Sequence, residues 1–410
     1  MKKRRILSQT EMYLTHLSLT NFRAFTRLDM DVPRRILLLV GDNAQGKTSL
    51  LEAVYFLATF SSILTDSDRQ LINFTSLNEA QVFSRLSAEF VRGGQAHRLE
   101  ARLILDPGGN GGSRMRKEIL VDGVKRSVQE AMGSFTAVIF LPQMMRIIEG
   151  SPEERRRYLN LALSQAVPGY AQALRDYEQV LSQRNALLKQ LSERGGDQEQ
   201  LVYWDDLLAQ KGSLLIHTRI AAIQELEKLA TRKHHHLTHS KEVLRLVYQP
   251  AYDPLPHPDN QYSLPLETPV QRSGFSREQI RQGFAQRLLG LRREEIARGV
   301  TTIGPHRDEM RILSNKIDLG DYGSRGQVRT ALLALKLAEV SWLKEKTGHC
   351  PVLLLDEMLV ELDIQRRADL LAGLGDCEQA LLTTTDLKLF APEFVQENVV
   401  RHVVGGRVEE

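Results

Sequence analysis

Gly41-Asp42-Asn43-Ala44-Gln45-Gly46-Lys47-Thr48 is the stretch that decides the fold, and both of its neighbours are informative. Before it, Ile36-Leu37-Leu38-Leu39-Val40 is a short unbroken apolar run, the pattern of a strand buried on both faces of a parallel sheet. After it, a helical pattern extends from Lys47 to about Phe60. The eight residues match G-x-x-x-x-G-K-T. Glycines at 41 and 46 let backbone N–H groups curl around phosphate oxygens, and the helix N-terminus adds the positive end of its dipole. Lys47 is spaced to reach the β- and γ-phosphates of ATP, and the Thr48 hydroxyl to ligate Mg²⁺, with Ser49 next in the same first turn. A chance match in a chain of this length has a probability of about 1–2% from average composition, and the strand–loop–helix context lowers it further.

A second buried-strand run, Val352-Leu353-Leu354-Leu355, ends in Asp356-Glu357. A carboxylate at the C-terminal end of a parallel strand suits Asp356 to hold Mg²⁺ through water. Glu357, one residue further, is placed to accept a proton from an attacking water. Kinases and GTPases usually lack this pair, so it points to ATP hydrolysis rather than transfer to a substrate. A third element, Tyr322-Gly323-Ser324-Arg325-Gly326-Gln327, precedes an apolar helix from Val328 to Leu343. By itself S-x-G-Q is explained by a helix cap, with Ser324 where a hydroxyl would meet an anion. Standing about 30 residues before Asp356-Glu357, it resembles the signature loop of the ABC ATPase superfamily, which completes the nucleotide site of a second subunit. The same resemblance makes Glu361-Leu362-Asp363 the D-loop and Thr383-Thr384-Thr385-Asp386 the switch position.

Composition adds limits. At roughly 150 residues per domain, 410 residues make two to three folding units. No run approaches the roughly 18 apolar residues of a membrane span, which argues against a membrane protein. Lys plus Arg is 54 against 51 Asp plus Glu, and a net charge of +3 announces no polyanionic partner. Two cysteines, Cys350 and Cys377, exclude a disulfide scaffold or a multi-cysteine metal site and fit a reducing cytoplasm.

The expected organisation is an α/β head split by a helical insertion. Residues 1–11 open with Lys2-Lys3-Arg4-Arg5 but carry no apolar core of a secretory signal; a disordered leader outweighs a phosphate-touching arm, and Met12 is an alternative translation start. Residues 12–150 form the first part of the head, with strand-rich stretches at 81–105 and 117–141 and a hairpin tip at 108–112. Residues 151–299 form the arm. Ser151-Pro152-Glu153-Glu154 has the form of a capped helix start, and apolar positions Tyr170, Leu174, Tyr177, Leu181, Leu188 and Leu191 make a heptad that Arg184 interrupts. After the break at Gly195-Gly196-Asp197, a second series from Leu201 to Leu229 completes a short antiparallel coiled-coil-like hairpin. Six of the fourteen prolines lie between Pro250 and Pro269, which predicts a loop, and Ser276-Arg277-Glu278-Gln279 opens a further helix to about Arg298. Residues 300–410 return to the head.

Other features point less clearly to a function. His234-His235-His236 with His239 has the spacing of a metal site but no accompanying carboxylates or cysteines, so a surface helix end is preferred. Arg155-Arg156-Arg157 is equally suited to phosphates and to local ion pairs. The arm as a whole has 21 Lys/Arg and 18 Asp/Glu, so charge does not locate a nucleic-acid surface.

About 280 residues separate the two ATP motifs, far more than in a transporter ATPase, and the insertion points to SMC-like heads. Within that group the chain closely resembles the RecF family of bacterial recombination-repair proteins. The resemblance rests on Leu19-Thr20-Asn21-Phe22-Arg23, Gly41 to Thr48, Gly150-Ser151-Pro152-Glu153-Glu154-Arg155-Arg156-Arg157, Gly304-Pro305-His306-Arg307-Asp308 and Gly323-Ser324-Arg325-Gly326-Gln327. Four departures stand out. Glu309 replaces a second aspartate, Pro142-Gln143-Met144 replaces a more acidic stretch and leaves Gln143 as the Q-loop candidate toward the metal, Glu361 stands where serine is usual, and Thr385-Asp386 occupies the usual place of the switch histidine. The resemblance implies an ABC-type head that binds ATP and Mg²⁺, with Gly41 to Ser49 of one subunit facing Ser324, Gly326 and Gln327 of another and Asp363 nearby. It implies weak ATP hydrolysis through Glu357 and an ATP-dependent homodimer that clamps double-stranded DNA near single-stranded gaps. It further implies RecO and RecR as partners, RecA loading downstream, and roles in gap repair, replication maintenance and the SOS response in the cytoplasm. The competing possibility is an SMC-like structural ATPase whose heads engage protein partners instead of DNA.

Overall fold

The structure is a computed structural model that describes residues 11–78, 81–107, 113–255, 272–358, 364–374 and 377–409. Apolar patterning explains its strands directly. In the first sheet the order is β15 (Arg407–Glu409), β14 (Val399–Val404), β3 (Arg35–Val40), β13 (Gln379–Thr384), β12 (Val352–Asp356) and β8 (Ala137–Phe140). From β14 to β8 the neighbours pair in parallel, and β12, β13 and β8 are buried throughout, as continuous aliphatic runs require. The second sheet is antiparallel, in the order β2 (Phe25–Asp31), β1 (Met12–Phe22), β4 (Val82–Arg92), β5 (Gln95–Pro107), β6 (Ser113–Val121) and β7 (Val124–Arg126). A bulge between Leu14 and His16 shifts β1 by one residue, so that Met12 and Leu14 are buried before it and Leu17 and Leu19 after it. Helix α1 (Lys47–Thr59) is buried along most of its length, between apolar neighbours on more than one side.

By internal contacts the chain divides into residues 1–144 with 339–410, and residues 145–338. The first unit holds both sheets, α1, α2 (Val128–Ala131), α10 (Ile364–Leu374) and α11 (Pro392–Glu397). The stretch 117–141 is therefore not strand throughout: a one-turn helix, closed by a reciprocal cap between Ser127 and Glu130, separates β7 from β8. The proposed hairpin tip at 108–112, residues 1–10 of the leader, much of the proline-rich stretch and the D-loop residues Glu361 to Asp363 lie outside the described residues.

The second unit begins with α3 (Arg146–Glu149) and α4 (Pro152–Ala166), followed by α5 (Tyr170–Arg194) and α6 (Gln200–Leu237). Tyr170 meets Arg219, Asp176 meets Lys211, and Arg184 meets Asp205, so α5 and α6 run antiparallel. They are joined by α7 (Arg277–Arg298), whose Ser276–Gln279 cap forms as its sequence implies. Ser151, by contrast, makes no side-chain cap, and α4 starts on Pro152 without one. Strands β9 (Leu244–Gln249), β10 (Glu309–Ser314) and β11 (Ile317–Asp318) form a small antiparallel sheet, with α8 (Leu319–Tyr322) after it. Because β10 pairs along its whole length with β9, the segment after residue 300 is tied to the helical unit, whose limit falls inside α9 (Arg325–Thr347). This differs from the expectation that residues 300–410 all belong to the head.

Arg184 is no interruption. The buried positions on α5 are Tyr170, Ala173, Tyr177, Val180, Arg184, Leu188 and Leu191, and Arg184 occupies a core position of that stripe. Its guanidinium is fully buried, with Asp205 at 2.8 Å, Glu295 at 2.7 Å and the Thr301 hydroxyl at 2.8 Å. The Gly-Pro-His-Arg-Asp stretch builds a second buried network. Asp308 accepts from Arg219 at 2.7 Å, from the Tyr248 hydroxyl at 2.6 Å and from the Ala251 N–H at 3.0 Å. Gly304 has φ +121°, and a Cβ there would stand 2.6 Å from the Tyr177 hydroxyl, which fixes glycine on two counts. The arginine triplet is also accounted for in part. Arg155 clasps Glu309 through two nitrogens at 2.6 and 2.7 Å, and Arg156 donates to the Asp308 carbonyl at 2.9 Å. Glu309, the family departure, has the reach to make that bidentate pair. Asp308→Ala would leave Arg219 charged, buried and deprived of its carboxylate. We expect a loss of about 3–5 kcal/mol of unfolding free energy, measured by chemical denaturation.

Candidate nucleotide site

Parallel register brings the site together. β3 ends at Val40, β13 at Thr384 and β12 at Asp356, and pairing aligns Val40 with Thr384 and Asp356 with Thr383. The chain leaving β3 is therefore the Gly41–Thr48 loop, at the same sheet edge as Asp356. Ala44 at φ +64° and Gly46 at φ +110° take left-handed conformations that curl the loop before α1 begins at Lys47. Gly41 is needed for a different reason from the one its motif suggests. A Cβ there would lie 2.3 Å from the Val403 carbonyl oxygen, and its own N–H points to the Thr384 carbonyl at 3.3 Å. The turn after β14 also braces the loop, with the Gly405 N–H on the Gln45 side chain at 2.6 Å and the Gly406 N–H on the Gln45 carbonyl at 3.1 Å. Asp42, Asn43 and Ala44 remain exposed.

The charged groups of the two motifs meet at this edge. Thr48 donates to one oxygen of Asp356 at 2.8 Å, and Thr383 donates to the other at 2.7 Å. Thr383 also accepts the Glu357 N–H at 3.0 Å, so one hydroxyl orients both carboxylate residues. Glu357 itself has φ +50°, a costly conformation for a non-glycine residue that is held here at the functional edge. Lys47 is almost fully buried and its ammonium is shared among the Gly41 carbonyl at 2.7 Å, the Asp42 carbonyl at 2.9 Å and the Glu357 carboxylate at 3.1 Å. In sequence Thr383 is only the first residue of the switch stretch. Its role is visible once β12 and β13 are known to pair in register.

Burial raises the Asp356 pKa above the ordinary carboxylate value, partly opposed by the hydrogen bonds from Thr383 and Thr48. A buried carboxylate beside a threonine hydroxyl is a hard-oxygen donor set, and it fits Mg²⁺. Thr48 and Asp356 would hold the ion, which supplies charge neutralisation at phosphate oxygens. Gln143 follows β8 in the short turn Pro142–Met145 and is exposed. β8 pairs directly with β12, which puts the turn after it on the same sheet edge. Asp386 caps its own turn by accepting from the Lys388 N–H at 2.8 Å.

Ser324, Gly326 and Gln327 belong to the second unit. Ser324 and Gln327 form a reciprocal cap, each side chain accepting the other's N–H at 3.3 and 3.1 Å, and Gln327 also donates to Glu242 at 3.4 Å. The turn is open to solvent: Tyr322 is 78% exposed, and Ser324, Arg325 and Gly326 are exposed beside it. His234 is buried while His235 and His236 are exposed, so the surface helix end expected for the run holds for only part of it, and among the described residues no group of three or more His, Cys, Asp or Glu is disposed to hold a metal ion.

Comparison with known proteins shows what the chain is similar to. Residues 13–400 match the family described as the RecF/RecN/SMC N terminal domain. The chain is 36% identical over 398 residues to the DNA replication and repair protein RecF of an Exiguobacterium strain, covering 97% of this chain and 99% of that protein. It is 38% identical over 394 residues to the RecF of Chloroflexus aurantiacus, covering 94% and 96%. Among solved structures, the recombination mediator protein RecF with ATP in the RecFOR pathway superposes with a TM-score of 0.81 at 28% identity, covering 100% of this chain and 99% of that one.

Asp356→Asn removes the buried charge at constant volume. Because the folded pKa is raised, the protonated form is the one the fold favours, and that advantage is lost as pH rises through the folded value. The variant should therefore unfold at or above the wild-type temperature near neutral pH, with the difference closing as pH falls toward the ordinary carboxylate range. Thermal denaturation across that window checks it, and ATP turnover should be lost at every pH.

Proposed function

We propose, from the premise that the chain belongs to the RecF family of DNA replication and repair proteins, that it is an ATP-dependent DNA-binding protein of recombinational repair. The observation that carries this reading is the single cluster in which Lys47, Thr48, Asp356, Glu357 and Thr383 contact one another. In this reading the loop from Gly41 to Ser49 binds the phosphates of ATP, and Lys47 exchanges an acceptor for a phosphate oxygen. Glu357 takes the proton of the attacking water, and Thr383 keeps its backbone in place. Ser324, Gly326 and Gln327, on an exposed turn, meet the nucleotide held by a second copy, with Asp363 at the same junction. Gln143 is the candidate sensor of the metal and water.

ATP binding then drives a homodimer onto double-stranded DNA beside a single-stranded gap, and weak hydrolysis releases it. Work with RecO and RecR toward RecA loading, replication maintenance and the SOS response follows from the family. In this reading the protein acts in the cytoplasm, in keeping with a chain of only two cysteines. The arm between residues 151 and 299 supports an SMC-like head over a transporter subunit.

Two measurements test the proposal. A duplex-DNA titration at several salt concentrations should show tighter binding with ATP than with ADP. Equal affinity in both would replace DNA clamping with the structural reading, in which the heads engage a protein. Glu357→Gln should dimerise with ATP, as seen by sedimentation, while hydrolysis falls about 100-fold or more. Lys47→Ala should lose nucleotide binding and dimerisation together.

A further inference from the structure

We propose that Cys350 and Cys377 form a reversible intramolecular disulfide, making the base of the mostly parallel sheet a site of oxidative modification. They are the only two cysteines in the chain, and they stand 27 residues apart. The parallel pairing of β12 with β13 sets Leu353 opposite Ala380, and Cys350 and Cys377, with the same 27-residue offset, each stand two residues before the start of these strands. Adjacent strands lie roughly 4.8 Å apart, inside the roughly 4.4–6.8 Å between Cα atoms that a disulfide spans. The side chains agree with the backbone: the two sulfurs are 2.6 Å apart and the residues are not in a disulfide. Cys350 is buried and Cys377 is partly exposed, which assigns them different parts in the exchange. The hydrogen bond with Cys377 and the nearby Lys344 ammonium hold the Cys350 thiol below its usual pKa, against the opposing effect of burial.

The oxidant is a small-molecule disulfide. The accessible Cys377 sulfur attacks it, one bond forms to Cys377 as the oxidant's own S–S bond breaks, and one small thiol leaves with the Cys377 proton. Cys350 then attacks the Cys377 sulfur, expelling the second small thiol with the Cys350 proton. The protein dithiol is oxidised by two electrons and the oxidant is reduced to two thiols. The bridge joins the segments that lead into β12 and β13, the strands that carry Asp356 and Thr383 at their far ends, and closes the chain between the two cysteines into a loop.

The full chain is incubated with oxidised glutathione, with the urea-unfolded chain as a control for the oxidant. Both thiols should disappear in the native protein, with a mass lower by about 2 Da, a peptide map joining the two cysteine peptides, and full reversal by dithiothreitol. The oxidised protein should also unfold at a higher temperature than the reduced one. Cys350→Ser should instead retain one glutathione on Cys377, since the resolving thiol is gone. Two thiols persisting in the native chain while the unfolded chain reacts, stable glutathione adducts on the wild type, or disulfide-linked dimers would each overturn the proposal.

Discussion

A carboxylate buried at the end of a strand is expensive, and Asp356 is the point on which the nucleotide site depends. Its two oxygens are each taken by a threonine hydroxyl, one from the start of α1 and one from the end of β13. Those donors arrive only if β3, β13 and β12 lie side by side in parallel register, because a slip of one residue would turn Thr383 to the opposite face. The apolar strands supply the driving force for that sheet, and the hydroxyl–carboxylate contacts select its register. Residual burial still raises the Asp356 pKa, so the site carries strain that a purely structural position would shed.

The second unit uses buried charge in a different way. Arg184 gathers Asp205 from α6 and Glu295 from α7, while Arg219 gathers Asp308 and the carbonyl of Pro305. Replacing such groups with matched apolar residues often costs nothing, so their presence is poor evidence of stability. What they impose is alignment. A leucine at 184 would tolerate several sliding positions of α5 along α6, whereas the guanidinium is satisfied only where both carboxylates and Thr301 converge.

Much of the head was legible because its signals are local. The phosphate loop, the aliphatic strands and the Asp356-Glu357 pair are contiguous runs whose chemistry follows from spacing. The helical hairpin was legible in outline for the same reason, through periodicity and the glycine break. What stayed hidden depends on residues far apart in sequence. Thr383 needed the β12–β13 register, and the tie between residues after 300 and the helical unit needed the β9–β10 pairing. Arg184 was misjudged because a charge in a heptad reads as a break unless its partners, 21 residues away on α6 and far along on α7, are known. Gly41 shows that a motif position can have a second cause, since the Val403 carbonyl excludes a side chain there independently of phosphate.

The contacts of Lys47 connect this architecture to its chemistry. An ammonium has three N–H donors, and here three acceptors surround it: two loop carbonyls and Glu357. A phosphate oxygen can therefore bind Lys47 only by displacing one of them. The carbonyls belong to the loop whose curvature Ala44 and Gly46 set, so moving them would distort the backbone. Glu357 is the partner with side-chain freedom and partial exposure, and it carries the charge that competes with phosphate. In the proposed function, nucleotide binding and release of the carboxylate toward water would be two sides of one exchange at Lys47, with the residue proposed as base held by the lysine until a phosphate takes its place.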